Sequence, residues 1–302
     1  TEFVLSLTCP ELFSLSPFVC SYYIRAPAHV QRQVGNHAMS YAIYQVDAFS
    51  SEPFGGNPAA VMPLDKWLED ELLQSIALEN NLSETAFMVP VEDGFELRWF
   101  TPTVEVDLCG HATLATAHVL FDHLAYAGER ICFHTRSGML QVLRHDSGYT
   151  LDFPAYALSD GAVDMEICAA LGARPSDVKQ VSGAAKLLYV FEFEEDVARI
   201  SPDFTALLAA SDRCIIATAP GDNCDFVSRF FGPQVGINED PVTGSAHCAL
   251  VPYWSQRLGL ERLEARQISA RGGEINCEYG AGRVRMTGQA VTFMQGRVRL
   301  AR

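Results

Sequence analysis

The chain has 302 residues, 48% apolar and 20% charged, proportions of an ordinary globular protein that exclude wholesale disorder and a fibrous chain. With 22 Lys and Arg against 37 Asp and Glu, the net charge of −15 repels phosphate backbones and excludes nucleic-acid binding through a basic face. No uncharged apolar run reaches the ~18–20 residues of a membrane span, so a soluble, cytoplasmic protein is expected.

Residues 1–38 hold Pro10, Pro17 and Pro27 among short apolar patches without period, and no basic stretch opens them as in a secretory signal. They are expected to be a leader or extension outside the fold, which begins near Met39 with a strand over 41–49. Asp65 is placed to cap a helix whose Leu68, Leu72, Leu73 and Ile76 share one face, ending at Asn80 and Asn81. Residues 83–89 alternate like a strand that stops at Pro90, and 95–100 form another. Gly110 opens a helix carrying Ala112, Ala115 and Ala117, small side chains that suit a helix packed on all sides, as at the centre of a barrel. Strand patterns return at 131–133, 139–144, 149–153, 187–193, 213–217 and 226–231. A second helix follows Gly244, with Pro252 expected to kink or end it after two turns. The tail (283–287, 290–294, 297–300) reads as strands again. The nine cysteines are scattered and form no C-x-x-C, which predicts free buried thiols, with no disulfide scaffold or zinc ribbon.

Phe95-Glu-Leu-Arg-Trp-Phe-Thr-Pro-Thr-Val-Glu-Val106 aligns with Phe226-Val-Ser-Arg-Phe-Phe-Gly-Pro-Gln-Val-Gly-Ile237 at a constant offset of 131. After a three-residue insertion, Gly110-His-Ala-Thr-Leu-Ala115 aligns with Gly244-Ser-Ala-His-Cys-Ala249. Duplication predicts two similar domains with a cleft between them, a common place for a ligand. Two helix starts facing that cleft would attract a carboxylate, each contributing roughly 0.3–1 kcal/mol.

Four ordered motifs now carry a family resemblance. They are Phe49-x4-Phe54-Gly-Gly-Asn-Pro-Ala-Ala-Val61, Asn81-Leu-Ser-Glu-Thr-Ala-Phe87, Arg98-Trp-Phe-Thr-Pro-Thr-Val-Glu-Val-Asp-Leu-Cys-Gly-His-Ala-Thr113 and Glu239-Asp-Pro-Val-Thr-Gly-Ser-Ala246. From about Tyr41 onward the chain resembles the PhzF, or phenazine biosynthesis-like, family. The resemblance implies an α+β fold similar to diaminopimelate epimerase: two pseudo-symmetric domains, each a barrel-like, mostly antiparallel sheet around a central helix. On this sequence the first domain would span 39–153, completed by strands from 288–302, and the second 154–287. The resemblance also implies a homodimer acting in biosynthesis.

The family's acid/base glutamate corresponds to Glu84. Moving a proton between carbons needs a base that can return what it takes, and a carboxyl group sheltered between domains suits both roles. Gly110 and His111 correspond to the residues that hold the substrate at the first helix start. Asp240, Gly244 and Ser245 match the second copy, where Asp240 would accept a hydrogen bond from an amino or hydroxyl group. Asn57 either lines the cleft or shapes a turn.

Diaminopimelate epimerase-like racemases use two facing cysteines; here Cys109 holds the first position and Thr243 the second, so two-thiol racemisation is disfavoured. His111, His118 and His123 are seven and five apart, spacings that do not share one helix face as a metal pair would. No phosphate-binding loop, dinucleotide fingerprint or nucleophile elbow is present. The expectation is a cofactor-independent, metal-free isomerase of a small carboxylated metabolite. A non-catalytic binding protein on the same scaffold and an epimerase or racemase are the alternatives.

Overall fold

A computed structural model describes residues 39–300. The expected leader at 1–38 lies outside the described residues.

The first half contains β1 (Met39–Ala48), β2 (Asn57–Pro63), α1 (Asp70–Asn80), β3 (Glu84–Val91), β4 (Gly94–Phe100), β5 (Glu105–Val106), α2 (Gly110–His118), β6 (Arg130–Thr135), β7 (Gly138–His145) and β8 (Gly148–Pro154). It is followed by β9 (Leu158–Asp160), α3 (Met165–Leu171), β10 (Asp177–Val181), β11 (Lys186–Val190), α4 (Glu194–Ala198), α5 (Phe204–Ala210), β12 (Cys214–Pro220) and β13 (Phe226–Gly232). The chain closes with β14 (Ile237–Asp240), α6 (Gly244–Leu258), β15 (Arg262–Gln267), β16 (Gly273–Gly280), β17 (Arg283–Gly288) and β18 (Ala290–Leu300).

The pairing pattern occurs twice. β1–β2, β3–β4, β6–β7 and β7–β8 are antiparallel while β2–β3 and β4–β6 are parallel. β10–β11, β12–β13, β15–β16 and β16–β17 repeat the antiparallel set, and β11–β12 and β13–β15 the parallel one. β8 and β17 pair with each other and join the halves. Each half then lends its next strand away: β9 pairs with β10 of the second half, and β18 returns to β1 of the first. Every residue of α2 is buried, as its small side chains predict. The fold is α+β, with few helices on one large, mostly antiparallel sheet.

An ion pair marks the duplication. Arg98 grips Glu105 through two 2.7 Å bonds, and Arg229 grips Glu239 at 2.7 and 2.9 Å. Each guanidinium also lies over a phenylalanine of its own strand, Phe100 at 5.1 Å and Phe231 at 4.9 Å. Strand register refines the sequence alignment: Phe100 faces Glu105 as Phe231 faces Glu239, and Trp99 faces Val106 as Phe230 faces Asp240. The extra residues therefore precede Glu239, around the 3-10 turn Pro233–Val235, and Asp240, not Ile237, is the counterpart of Val106.

Local expectations change where tertiary contacts override them. The first helix starts at Asp70, not after Asp65, because Arg98 holds Asp70 at 2.8 Å and Trp67 donates to Glu96, laying the intervening segment along β4. β3 continues through Pro90, whose missing N–H is tolerated beside the hairpin turn at Val91 and Gly94. The tail strand is one piece, β18. Pro252 neither ends nor interrupts α6. The Cys248 carbonyl that its missing N–H would leave bare accepts instead from the Tyr156 amide at 2.9 Å. A π turn over Val119–His123 winds His118 and His123 to within 5.9 Å, both bonding Thr292 Oγ1, which α-helical spacing does not foresee. The seven cysteines among the described residues are free thiols. Among these residues no helix is long and apolar enough to cross a membrane.

Candidate active site

Gly56 turns the chain into β2 with φ +62°, and a Cβ there would stand 2.1 Å from the Ala48 carbonyl oxygen. The turn is held from the far end of the sequence. Arg271 donates to the carbonyls of Gly56 (2.8 Å) and Gly55 (2.9 Å) and to Asp47 Oδ1 (2.8 Å), whose other oxygen takes the Phe54 amide at 2.9 Å. Asn57, fully buried, is thereby aimed from β2 toward the helix starts. Parallel pairing of Ala59 with Glu84 places Glu84 beside it at the head of β3.

The two helix starts meet. A Cβ on Gly110 would lie 3.1 Å from Gly244 Cα, and one on Gly244 would lie 3.2 Å from Gly110 Cα. Only glycine at both positions lets the two N-termini converge, so the free amides of α2 and α6 add their positive ends at one place.

His111, the second residue of α2, puts Nε2 3.1 Å from Glu84 Oε2, at ion-pair distance but without hydrogen-bond alignment. Asn57 Nδ2 donates to Asp240 Oδ1 (2.7 Å) and the Val242 carbonyl (2.9 Å). Those bonds use both amide hydrogens, so His111 Nδ1, 3.1 Å from Nδ2, is left to the Cys109 sulfur at 3.5 Å. Thr243 Oγ1 donates to Asp240 Oδ2, and Gln267 Nε2 donates to the Asp240 carbonyl at 2.7 Å. Asn57 Oδ1, Glu84 Oε2 and His111 Nε2 are buried yet make no hydrogen bond.

Burial opposes charge on His111, but the acidic groups around it outweigh that and raise it well above the usual imidazole range. Cys109 and Glu84 are those groups, and burial pushes the Cys109 thiol itself up to about 11. Burial raises Asp240 to about 6, against the nearby His111 charge and its two side-chain donors.

All seven residues singled out in the sequence, Asn57, Glu84, Gly110, His111, Asp240, Gly244 and Ser245, come to this one place. Ser245, second in α6, accepts from Lys186 Nζ at 2.7 Å. Lys186 and Gln267 are the site residues that sequence reasoning passes over, while Thr243, noted there only as the residue in place of a second cysteine, proves to be a donor to Asp240. Glu84, Cys109 and His111 each bring a ligand atom within 4.8 Å of the others and are the described group able to hold a cation. A metal there would displace the His111 proton, so metal binding and acid/base use exclude each other.

His247 of α6 lies behind the site, its Nδ1 2.9 Å from the Thr243 carbonyl, and burial drags it down to about 4. It stays neutral in the folded protein while its unfolded form protonates below 6.5. Stability is therefore lost as pH falls through 6.5 toward 4. Between pH 7 and 5, urea denaturation is expected to show a loss about 2 kcal/mol larger in the wild type than in His247→Gln. Equal losses would refute the assignment.

The family model described as phenazine biosynthesis-like protein, PhzC-PhzF, matches residues 46–296. An uncharacterized isomerase of Pseudomonas aeruginosa is 54% identical over 263 residues, covering 87% of this chain and all of that one. The crystal structure of a phenazine biosynthesis protein of the PhzF family from Enterococcus faecalis superposes with a TM-score of 0.82 at 48% identity, covering 87% of this chain and 100% of the other. A hydroxyproline epimerase from Agrobacterium vitis shares the fold alone, with a TM-score of 0.59 at 13% identity over 87% of this chain and 93% of its own.

Proposed function

The chain belongs to the PhzC-PhzF, phenazine biosynthesis-like family, and from that premise and the geometry around the joined helix starts we propose that it is an isomerase of a small carboxylate-bearing acid. Glu84 removes a proton from a carbon activated by conjugation to the carboxyl group, and the electron pair moves into the π system. Glu84, its acid proton open to exchange with solvent, then delivers a proton to a second carbon of that system. Charge developing on the acid is met by the joined helix starts, while His111 supplies a positive hydrogen-bond donor next to Glu84. Asp240, aligned by Asn57, Thr243 and Gln267, accepts from a substrate amino or hydroxyl group and fixes which carbon faces Glu84. The sequence of steps is redox-neutral and moves one proton, so it requires no electron carrier.

The observation that carries this reading is the group of buried, unsatisfied atoms on Asn57, Glu84 and His111 at the glycine-to-glycine contact. Three such atoms gather at this one point, where the polar groups of a ligand would complete them. Incubation with candidate unsaturated and cyclic acids in D2O should place deuterium on carbon. Tight binding of an acid with no carbon exchange would make the protein a binding module on this scaffold and end the enzyme reading.

The pH profile follows from the two titrating neighbours. kcat/KM should rise through about pH 6, as Asp240 ionises, and fall where His111 loses its proton above neutrality. In Asp240→Asn the acid limb near 6 should vanish; its persistence would assign that limb elsewhere.

A further inference from the structure

The duplicated pairing shows what stands opposite the proposed base. Glu84 opens β3 beside Ala59 of β2, and Cys214 opens β12 beside Lys186 of β11. Each half then sets one charged side chain against the second residue of its central helix. In the first half this is Glu84 against His111, and in the second Lys186 against Ser245. Because Gly110 and Gly244 touch, the two pairs flank a single point, one carrying the proton-transfer groups and the other a lone cation.

Lys186 is unusual within its own chain. Lysine occurs only at 66, 179 and 186, against nineteen arginines. Lys66 is exposed, and Lys179 pairs with Asp160 at 2.7 Å and Asp177 at 3.0 Å. Lys186 instead runs inward, its Nζ 5.7 Å from the Tyr156 ring and 5.9 Å from the Phe230 ring. Among the described residues no carboxylate lies within ion-pair distance of it. Burial pulls its ammonium below the usual lysine range. A half-buried cation in contact with one hydroxyl and two rings, with Asp240 acting on it only from beyond ion-pair distance, has capacity left for a counter-charge.

We propose that Lys186 and Ser245 form a subsite for a carboxylate of the substrate, facing Glu84 across the joined helix starts. Ser245 accepts from Lys186 through oxygen lone pairs and keeps its own hydrogen to donate. Lys186 keeps two further N–H groups. Together they offer one donor to each oxygen of a planar carboxylate, and the flanking Tyr156 and Phe230 rings suit a flat monoanion. The carboxylate is thereby fixed at a set distance from Glu84, and acids are admitted while their amides and esters are rejected. This assignment rests on the reading of Glu84 as the base.

With three lysines, 13Cε-lysine labelling of the full chain gives three separable NMR signals, the Lys186 one identified by its loss in Lys186→Arg. Titration with benzoate should shift that signal and move its pH midpoint upward while Lys66 and Lys179 stay put; benzamide should do neither. Lys186→Met should weaken benzoate binding at least tenfold, and Lys186→Arg should restore part of it. Benzoate should still move Lys186 in Glu84→Gln. A Lys186 response in a protein that exchanges no substrate hydrogen keeps the subsite and removes the isomerase reading. A Lys186 signal indifferent to benzoate, in a protein that does exchange hydrogen, overturns the subsite.

Discussion

Carbon-bound hydrogen exchange is expected to fall by about 10²–10⁴-fold in Glu84→Gln, the usual worth of a positioned general base. The amide keeps the size and the contact with His111 but cannot take a proton. Glu84→Asp retracts the carboxylate by one methylene, and such a misplacement costs on the order of 10²-fold. Cys109→Ala is the contrasting case. Its thiol, pushed up to about 11, stays protonated at neutral pH, so exchange should persist within an order of magnitude of the wild type. Equal, severe losses in Glu84→Gln and Cys109→Ala would return a thiol to the mechanism. Steady-state rates in D2O with one exchanging acid, measured on folded variants, separate these outcomes.

Asn57→Leu should cost about 3–5 kcal/mol of folding free energy, by leaving two buried acceptors, Asp240 Oδ1 and the Val242 carbonyl, without donors. Leucine keeps the heavy-atom count and branching and opens no cavity, so the loss reports the missing donors together with some crowding by the bulkier methyls. With one donor gone, Asp240 should titrate above its present value of about 6, moving the acid limb of the pH profile to the right. A urea midpoint within about 1 kcal/mol of the wild type would show that water replaces the amide, and that Asn57 does not join the halves.

What could be read in advance was local or repeated. The Gly-led helix starts, the strands flanking them and the Arg-x-Phe strand pair recur within the chain, so each copy supports the other. The resemblance to the PhzF family, carried by four short motifs, agrees with the family match and with the solved structures. What escaped depends on distant partners. Arg271 shapes the turn before Asn57 from more than two hundred residues away, and Gln267 reaches Asp240 from another strand. A lysine at the head of a strand, as Lys186 is, usually points to water, and only three-dimensional packing against Tyr156 and Phe230 reverses that. The chain's poverty in lysine was the available hint. Asp65 failed as a cap because Trp67 and Asp70 were already engaged by β4 and its neighbours, and Pro252 was harmless because Tyr156 supplied a substitute amide. No side-chain pattern announced the π turn.

The exchange of β18 into the first half has a consequence for synthesis on the ribosome. β1 is among the first described segments to emerge, yet its outer partner is made after every other described strand. Until 290–300 are free of the exit tunnel, that edge of β1 stands open to chaperones and to neighbouring chains. The half that carries Glu84 and His111 is thus closed by the last of the described strands to be translated.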